Sequence, residues 1–118
     1  MKEIILKGKS FDFAVRVTRL YKYILENKKE YVLSKQLLRS GTDVGALIRE
    51  AQNAESKLDF IHKLAIAQKE CDETIYWLEL LRTTDFITKK EFESINIDAT
   101  ALLKMIRSAI LTVKKTKG

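Results

Sequence analysis

Few side chains in this sequence are suited to chemistry. There is one histidine, His62, and one cysteine, Cys71. His62 stands three residues after Asp59, so carboxylate and imidazole share a helix face. A di-metal centre in a helical bundle needs two Glu-x-x-His pairs and further carboxylates. A single histidine argues against such a centre, and His62 reads as a partly exposed helix residue. Cys71 falls on an apolar stripe, where a thiol acts as a small hydrophobe. Arg49 and His62 lie too far apart for the Arg-x(4–6)-His signature of one helical ribonuclease class. Gly41-x-x-x-Gly45 lies inside a helical pattern and offers a phosphate no free amides. Glu50, Glu70 and Glu73 remain. Paired carboxylates can do acid–base work, but on adjacent helices ion pairing with arginine is the commoner role. Arg39 and Arg49 are the obvious cations. These residues point to a protein that is not an enzyme and has neither metal nor cofactor.

The charged residues suggest a different kind of site. The 118 residues carry a net charge of +6. The distribution is uneven: residues 1–30 hold eight basic and four acidic groups, residues 55–84 four and six, and residues 85–118 seven and four. Basic clusters bind phosphate by releasing counterions. Arg16, Arg19 and Lys22 stand three apart and form a basic ridge. With Lys104, Arg107, Lys114 and Lys115 they are candidates for one phosphate-binding surface; a solvated face is the plain alternative.

The elements that carry these residues read as helices throughout. The sequence has no proline and four glycines, so it lacks the punctuation of hairpins and sandwiches. No apolar run reaches the ~18 residues of a membrane span, and the start is too short in apolar residues for a signal peptide. The lone cysteine suits a reducing compartment. The expected setting is cytoplasmic.

Four amphipathic segments follow, at about 10–27, 34–53, 56–83 and 88–115. The first is expected to begin at Ser10 as N-cap, with Ala14, Val17, Leu20 or Tyr21, and Ile24 on its apolar face. In the second, Ser34 reads as N-cap, and Leu37, Gly41, Val44, Ile48 and Ala51 keep the rhythm. A turn at Gly41–Gly45 would break that phase, so an unbroken helix is expected, with both glycines admitting a close neighbour. The third opens at Ser56 with Asp59 three residues on, and runs Phe60, Leu64, Ala67, Cys71, Thr74, Leu78, Leu81. Ile61, Ile75 and Trp77 widen its apolar face, which suggests a subunit interface; Trp77 either fills the core or anchors such an interface. The fourth opens with the capping box Thr88-x-x-Glu91 and keeps a seam from Phe92 to Val113. Short links make this one all-α domain, an antiparallel up-down-up-down four-helix bundle.

Several stretches are familiar: "SFDFAVRVTRLYKYI" (10–24), "LSKQLLRSGTDVGALIREA" (33–51), "ESKLDFIHKLAIAQKE" (55–70) and "CDETIYWLELL" (71–81). The chain resembles the bacterial four-helix bundle family encoded in intervening sequences of large-subunit ribosomal RNA genes, often labelled ribosomal. Gln36, Arg39, Ser40, Ala46, Glu50, Ser56, Phe60, Lys69, Glu70, Glu73, Thr74, Trp77 and Leu78 match its pattern. Asp43 stands where serine is usual, and Leu47 where asparagine is usual. The resemblance implies a homopentamer, as in the similar accessory proteins of diversity-generating retroelements, which form a basic barrel that binds nucleic acid and a reverse transcriptase.

The sequence thus predicts a homo-oligomeric bundle that binds RNA or other nucleic acid. Arg16, Arg19, Lys22, Arg39, Arg49, Lys114 and Lys115 are the candidate contacts. Gly41, Gly45, Glu50, Glu70, Glu73 and Trp77 are the candidate structural or interface residues. The alternative is a protein-interaction adaptor whose basic charge is incidental, its acidic third helix docking a basic partner.

Overall fold

Leu6, Phe13, Val17 and Ile24 of the first segment are all buried. Together with buried Ser10 they step by four and three residues, the spacing of one helix face. The computed structural model describes residues 2–116 and the side chains from Ile5 onward. Helix α1 spans Lys2–Tyr23 and continues as a π-helical turn over Ile24–Lys28. Helix α2 spans Leu33–Gln52, α3 Lys57–Thr83 and α4 Lys89–Lys115. Each helix packs antiparallel on the next, and α4 returns to α1 to close an elongated bundle of 51 × 21 × 19 Å. No helix among the described residues is long and apolar enough to cross a membrane.

Helix α1 therefore begins well before Ser10, the expected cap. Leu6 carries the buried face upstream, and no breaker intervenes, since Gly8 is exposed and touches nothing. Ser10 lies inside the helix, 1% exposed, and its hydroxyl donates to the Lys7 carbonyl. Ser34 is likewise not a cap but a buried helical residue, its hydroxyl donating to the Glu30 carbonyl at 2.7 Å. The capping acceptor is Glu30. Its carboxylate accepts from the amides of Val32, Leu33 and Ser34 at 3.1, 2.8 and 2.8 Å. These are first-turn donors that no intrahelical carbonyl can reach.

The other two starts follow the sequence closely. Ser56 Oγ accepts from the Asp59 amide, while the Asp59 carboxylate accepts from the amide of Glu55 rather than that of Ser56. Thr88 and Glu91 form a full capping box. Between α3 and α4 the chain turns through Asp85 at φ 69°, with Phe86 N–H on the Leu81 carbonyl and Asp85 N–H on that of Arg82. This is a Schellman closure.

Helix α2 is unbroken through both glycines. The reason lies across the α1–α2 seam. A Cβ at Gly41 would stand 2.7 and 2.8 Å from the two methyl carbons of Val17, and one at Gly45 would stand 3.3 Å from the Ser10 carbonyl oxygen. The two helices approach so closely that side chains have no room there.

Helix α3 packs on both α2 and α4. Ile61, Ile75 and Trp77 are partly buried against the core, so its broad apolar face is accounted for by two neighbours within the chain and does not itself require a second subunit.

Gly41→Leu is expected to cost on the order of 1–3 kcal/mol through overpacking, read as a lower urea midpoint. Gly8→Ala, where nothing lies within 4 Å, is expected to raise the midpoint, because alanine favours a helix by up to about 1 kcal/mol. Equal midpoints for the two variants would refute the close approach.

Glu30 gives a pH-dependent prediction. Burial opposes its ionisation, but the amide bonds from Leu33, Ser34 and Val32 outweigh burial and lower its pKa. Its stabilisation is complete above the ordinary glutamate range and is lost as pH falls through the lowered native value. Glu30→Gln is expected to cost about 1 kcal/mol at neutral pH, the usual scale of a lost cap, and to flatten the acid limb of a stability–pH profile.

Candidate functional site

The three- and four-residue spacing along α2 and α3 brings one set of expected residues together. Gln36, Arg39 and Asp43 line one edge of α2, and Glu70, Glu73 and Trp77 the facing edge of α3. Arg39 Nη1 lies 3.0 Å from Glu70 Oε2 and 3.6 Å from Asp43 Oδ2. Its Nη2 pairs with Glu73, and its Nε donates to Gln36 Oε1 at 3.2 Å. Trp77 Nε1 donates to Glu73 Oε2 at 2.9 Å, and the Tyr76 ring meets the Trp77 ring edge-on at 5.0 Å. Beneath this cluster the hydroxyl oxygens of Ser40 and Thr74, both fully buried, lie 2.9 Å apart across the seam. The Thr74 hydroxyl also lies 2.7 Å from the Glu70 carbonyl.

Three carboxylates thus surround one guanidinium. Burial lowers the tendency of Arg39 to hold its proton, but Glu70, Glu73 and Asp43 more than restore it, and its pKa is raised. Glu70 is raised as well. Burial is the largest cause, Arg39 opposes it, and Glu73 and Asp43 add to it. Asp43 therefore adds a carboxylate to an already crowded cluster. Leu47 packs partly buried against the core.

The remaining cations are scattered. Arg16 is engaged by Asp98 at 2.7 Å, by Ser94 Oγ at 2.9 Å and by the Ser94 carbonyl at 3.1 Å. Arg19 lies in a groove with Arg16, Leu20, Lys90 and Ser94, between α1 and α4. Arg49 lies on α2 beside Lys7 and Phe11 of α1. Lys114 and Lys115 end α4, where Lys57 Nζ donates to the Thr116 carbonyl. From Ser94 to Lys114 is about 30 Å at ~1.5 Å per residue. The α1 ridge and the α4 tail therefore do not form one patch. Arg19, Lys22, Arg49, Lys114 and Lys115 make no ion pair among the described residues. A phosphate at Arg16 or Arg39 would have to displace carboxylates already in place.

Glu50 pairs with Lys63 at 3.2 Å, not with Arg39. His62 is exposed, and no group of three His, Cys, Asp or Glu side chains among the described residues is placed to hold a metal ion. The Cys71 thiol is fully buried and donates to the Ala99 carbonyl of α4 at 3.4 Å. Burial first, and Asp72 second, push its pKa up to about 12, so almost none of it is the nucleophilic thiolate near neutral pH. Asp98 and Phe11 are among the participants not singled out from sequence. Asp98 as the partner of Arg16 had no signal, since the pair spans helices far apart in the chain. Phe11 had one: it follows Lys7 by one helical turn and lies off the buried face.

Arg39→Gln is expected to destabilise by on the order of 1 kcal/mol in urea unfolding, since the arginine side chain is 44% exposed and such pairs are partly screened. Asp43→Ser should lower the Glu70 pKa in a carboxyl NMR titration. An unmoved Glu70 titration would show that the two carboxyls do not interact.

A family profile described as "23S rRNA-intervening sequence protein" matches residues 2–108. The chain is also similar to a crystal structure from Bacteroides thetaiotaomicron, described as a protein of unknown function from the S23 ribosomal protein family. The two are 55% identical, the match covers 93% of this chain and 98% of that one, and the TM-score is 0.92. No curated protein matches. The four-helix fold, the Arg39–Glu70–Glu73–Trp77 cluster and the match over nearly the whole chain agree: the protein belongs to the 23S rRNA-intervening sequence protein family.

Proposed function

We propose that this chain is a non-enzymatic, homo-oligomeric bundle that binds RNA or another nucleic acid through its unpaired cations. The observation that carries the reading is how the fold sorts charge. Glu70, Glu73 and Asp43 are drawn onto Arg39 at the α2–α3 seam. The cations Arg19, Lys22, Arg49, Lys114 and Lys115 are left without an acidic partner among the described residues. On a chain of net charge +6, that arrangement favours a polyanion. The contacts are to phosphate, so affinity falls with salt and sequence preference is small. The proposed oligomer would repeat the same cations around a symmetric particle and so multiply weak contacts. A homopentamer is the form the family resemblance favours.

A protein-interaction adaptor is the second reading. Tyr76, 55% exposed, stands beside Trp77 and the surplus carboxylates, and such a surface suits a basic protein partner.

The test is a titration of purified protein against structured ribosomal RNA, a control RNA and duplex DNA at ~50 and ~200 mM salt, with particle mass read by light scattering. Affinity is expected to fall at least tenfold between the two salt concentrations, as it does when several phosphates are contacted, and the mass to be about five times that of one chain. Absence of binding at the lower salt would sink the nucleic-acid reading and favour the adaptor. A single-chain mass would remove the oligomer.

A further inference from the structure

We infer that the groove between α1 and α2 is a nucleobase-stacking site, with Phe11 as platform and Lys7 and Arg49 as flanking cations. The inference rests on the nucleic-acid reading above and narrows it to unpaired strands.

Two phenylalanines lie two residues apart on α1 and have opposite fates. Phe13 is 2% exposed in the core, whereas Phe11 is 56% exposed. Phe11 borders a groove of about 370 Å³ whose other walls include Lys7 and Ala14 of α1 and Gly45, Ala46 and Arg49 of α2. The α2 wall includes two small residues, Gly45 and Ala46, along with Thr42. With no side chain at Gly45 and only a methyl at Ala46, the groove stays open beside Phe11, where a planar ring can lie. Lys7 stands one turn before Phe11 on the same helix face, and Arg49 reaches the groove from the other wall. Neither makes an ion pair among the described residues. Among the described residues Glu50 is the one acid lining the groove, and Lys63 holds it at 3.2 Å.

An exposed aromatic ring between cations is the combination that binds single-stranded nucleic acid, in which bases stack on the ring while the backbone follows the positive charge. A duplex cannot use the ring, since its bases already stack on each other. The α1–α4 groove illustrates the contrast. It offers Arg19 and Lys90 beside Glu91 and an Arg16 already held by Asp98, and its apolar members are Leu20 and Ile95, so it lacks a stacking face.

The experiment compares a fluorescein-labelled 20-nucleotide oligouridine with an RNA duplex of equal length, using the full chain, Phe11→Ala, Phe11→Tyr and Arg49→Gln. Phe11 is exposed, so all variants should fold, checked by circular dichroism. Phe11→Ala is expected to weaken oligouridine binding roughly 5- to 150-fold, the range for a lost base–aromatic stack, with duplex binding unchanged. Phe11→Tyr should bind the oligouridine as the parent does. Arg49→Gln should weaken binding to both and reduce the salt slope by about 1. The stacking site is overturned if Phe11→Ala binds oligouridine like the parent, if it loses oligouridine and duplex equally, or if it shifts the particle mass, which would make Phe11 a contact between chains. A parent protein that binds neither RNA would overturn the nucleic-acid reading and the stacking site together; any other failure leaves the broader reading standing.

Discussion

The methyl groups of Val17 rest where a side chain of residue 41 would be. This contact brings α1 and α2 close together at Gly41. Val17 is a stiff β-branched residue with little freedom to turn aside, so the glycine is required by the neighbour rather than by its own backbone. Helix α2 accepts two poor helix formers, each costing about 1 kcal/mol relative to alanine, in exchange for close packing along the seam. Once α1 and α2 are fixed, α3 has one wall to pack on, and α4 closes the bundle between α3 and α1.

The second organising feature is electrostatic. A basic chain whose third segment is acidic could have spread both signs over its surface. The fold instead gathers carboxylates around Arg39 and pairs Glu50 with Lys63 and Asp98 with Arg16. The Arg39 cluster is partly exposed, so its worth to stability is modest. Its larger effect is on orientation: a guanidinium that meets Gln36 on its own helix and two glutamates on the next fixes the rotation of α3 against α2. The polar Ser40–Thr74 pair beneath it does the same from within the core, because buried hydroxyls must find partners.

Most of the helical architecture was legible from the sequence because the seam rhythm is strong. The buried residues of α3 step by three and four as expected, those of α4 do so with Leu103 and Ile110 added, and the capping box at Thr88 reads directly from residue type. The family pattern was legible too, and its residues Arg39, Glu70, Glu73 and Trp77 do converge. What misled were serines. Ser10 and Ser34 have the chemistry of caps, yet both lie on buried faces and turn their hydroxyls to the preceding turn. The cap of α2 comes from Glu30, whose reach across several amides depends on the chain path after the π-helical turn. The charged sites were the least legible part. A list of arginines and lysines does not say which of them the fold has already paired, and the Asp98 partner of Arg16 and the two glutamates on Arg39 come from other helices.

The single thiol gives this bundle a built-in reporter. Cys71 is sealed between α3 and α4, with its hydrogen directed at the Ala99 carbonyl. A reagent can reach the sulfur only when those two helices part, so its rate of modification measures the opening equilibrium of that seam. The opposite seam, with Gly41 at its centre, contains no such atom. Thiol accessibility therefore reads one half of the molecule alone, and comparing it with whole-molecule unfolding would show whether the bundle comes apart as a unit or releases α4 first.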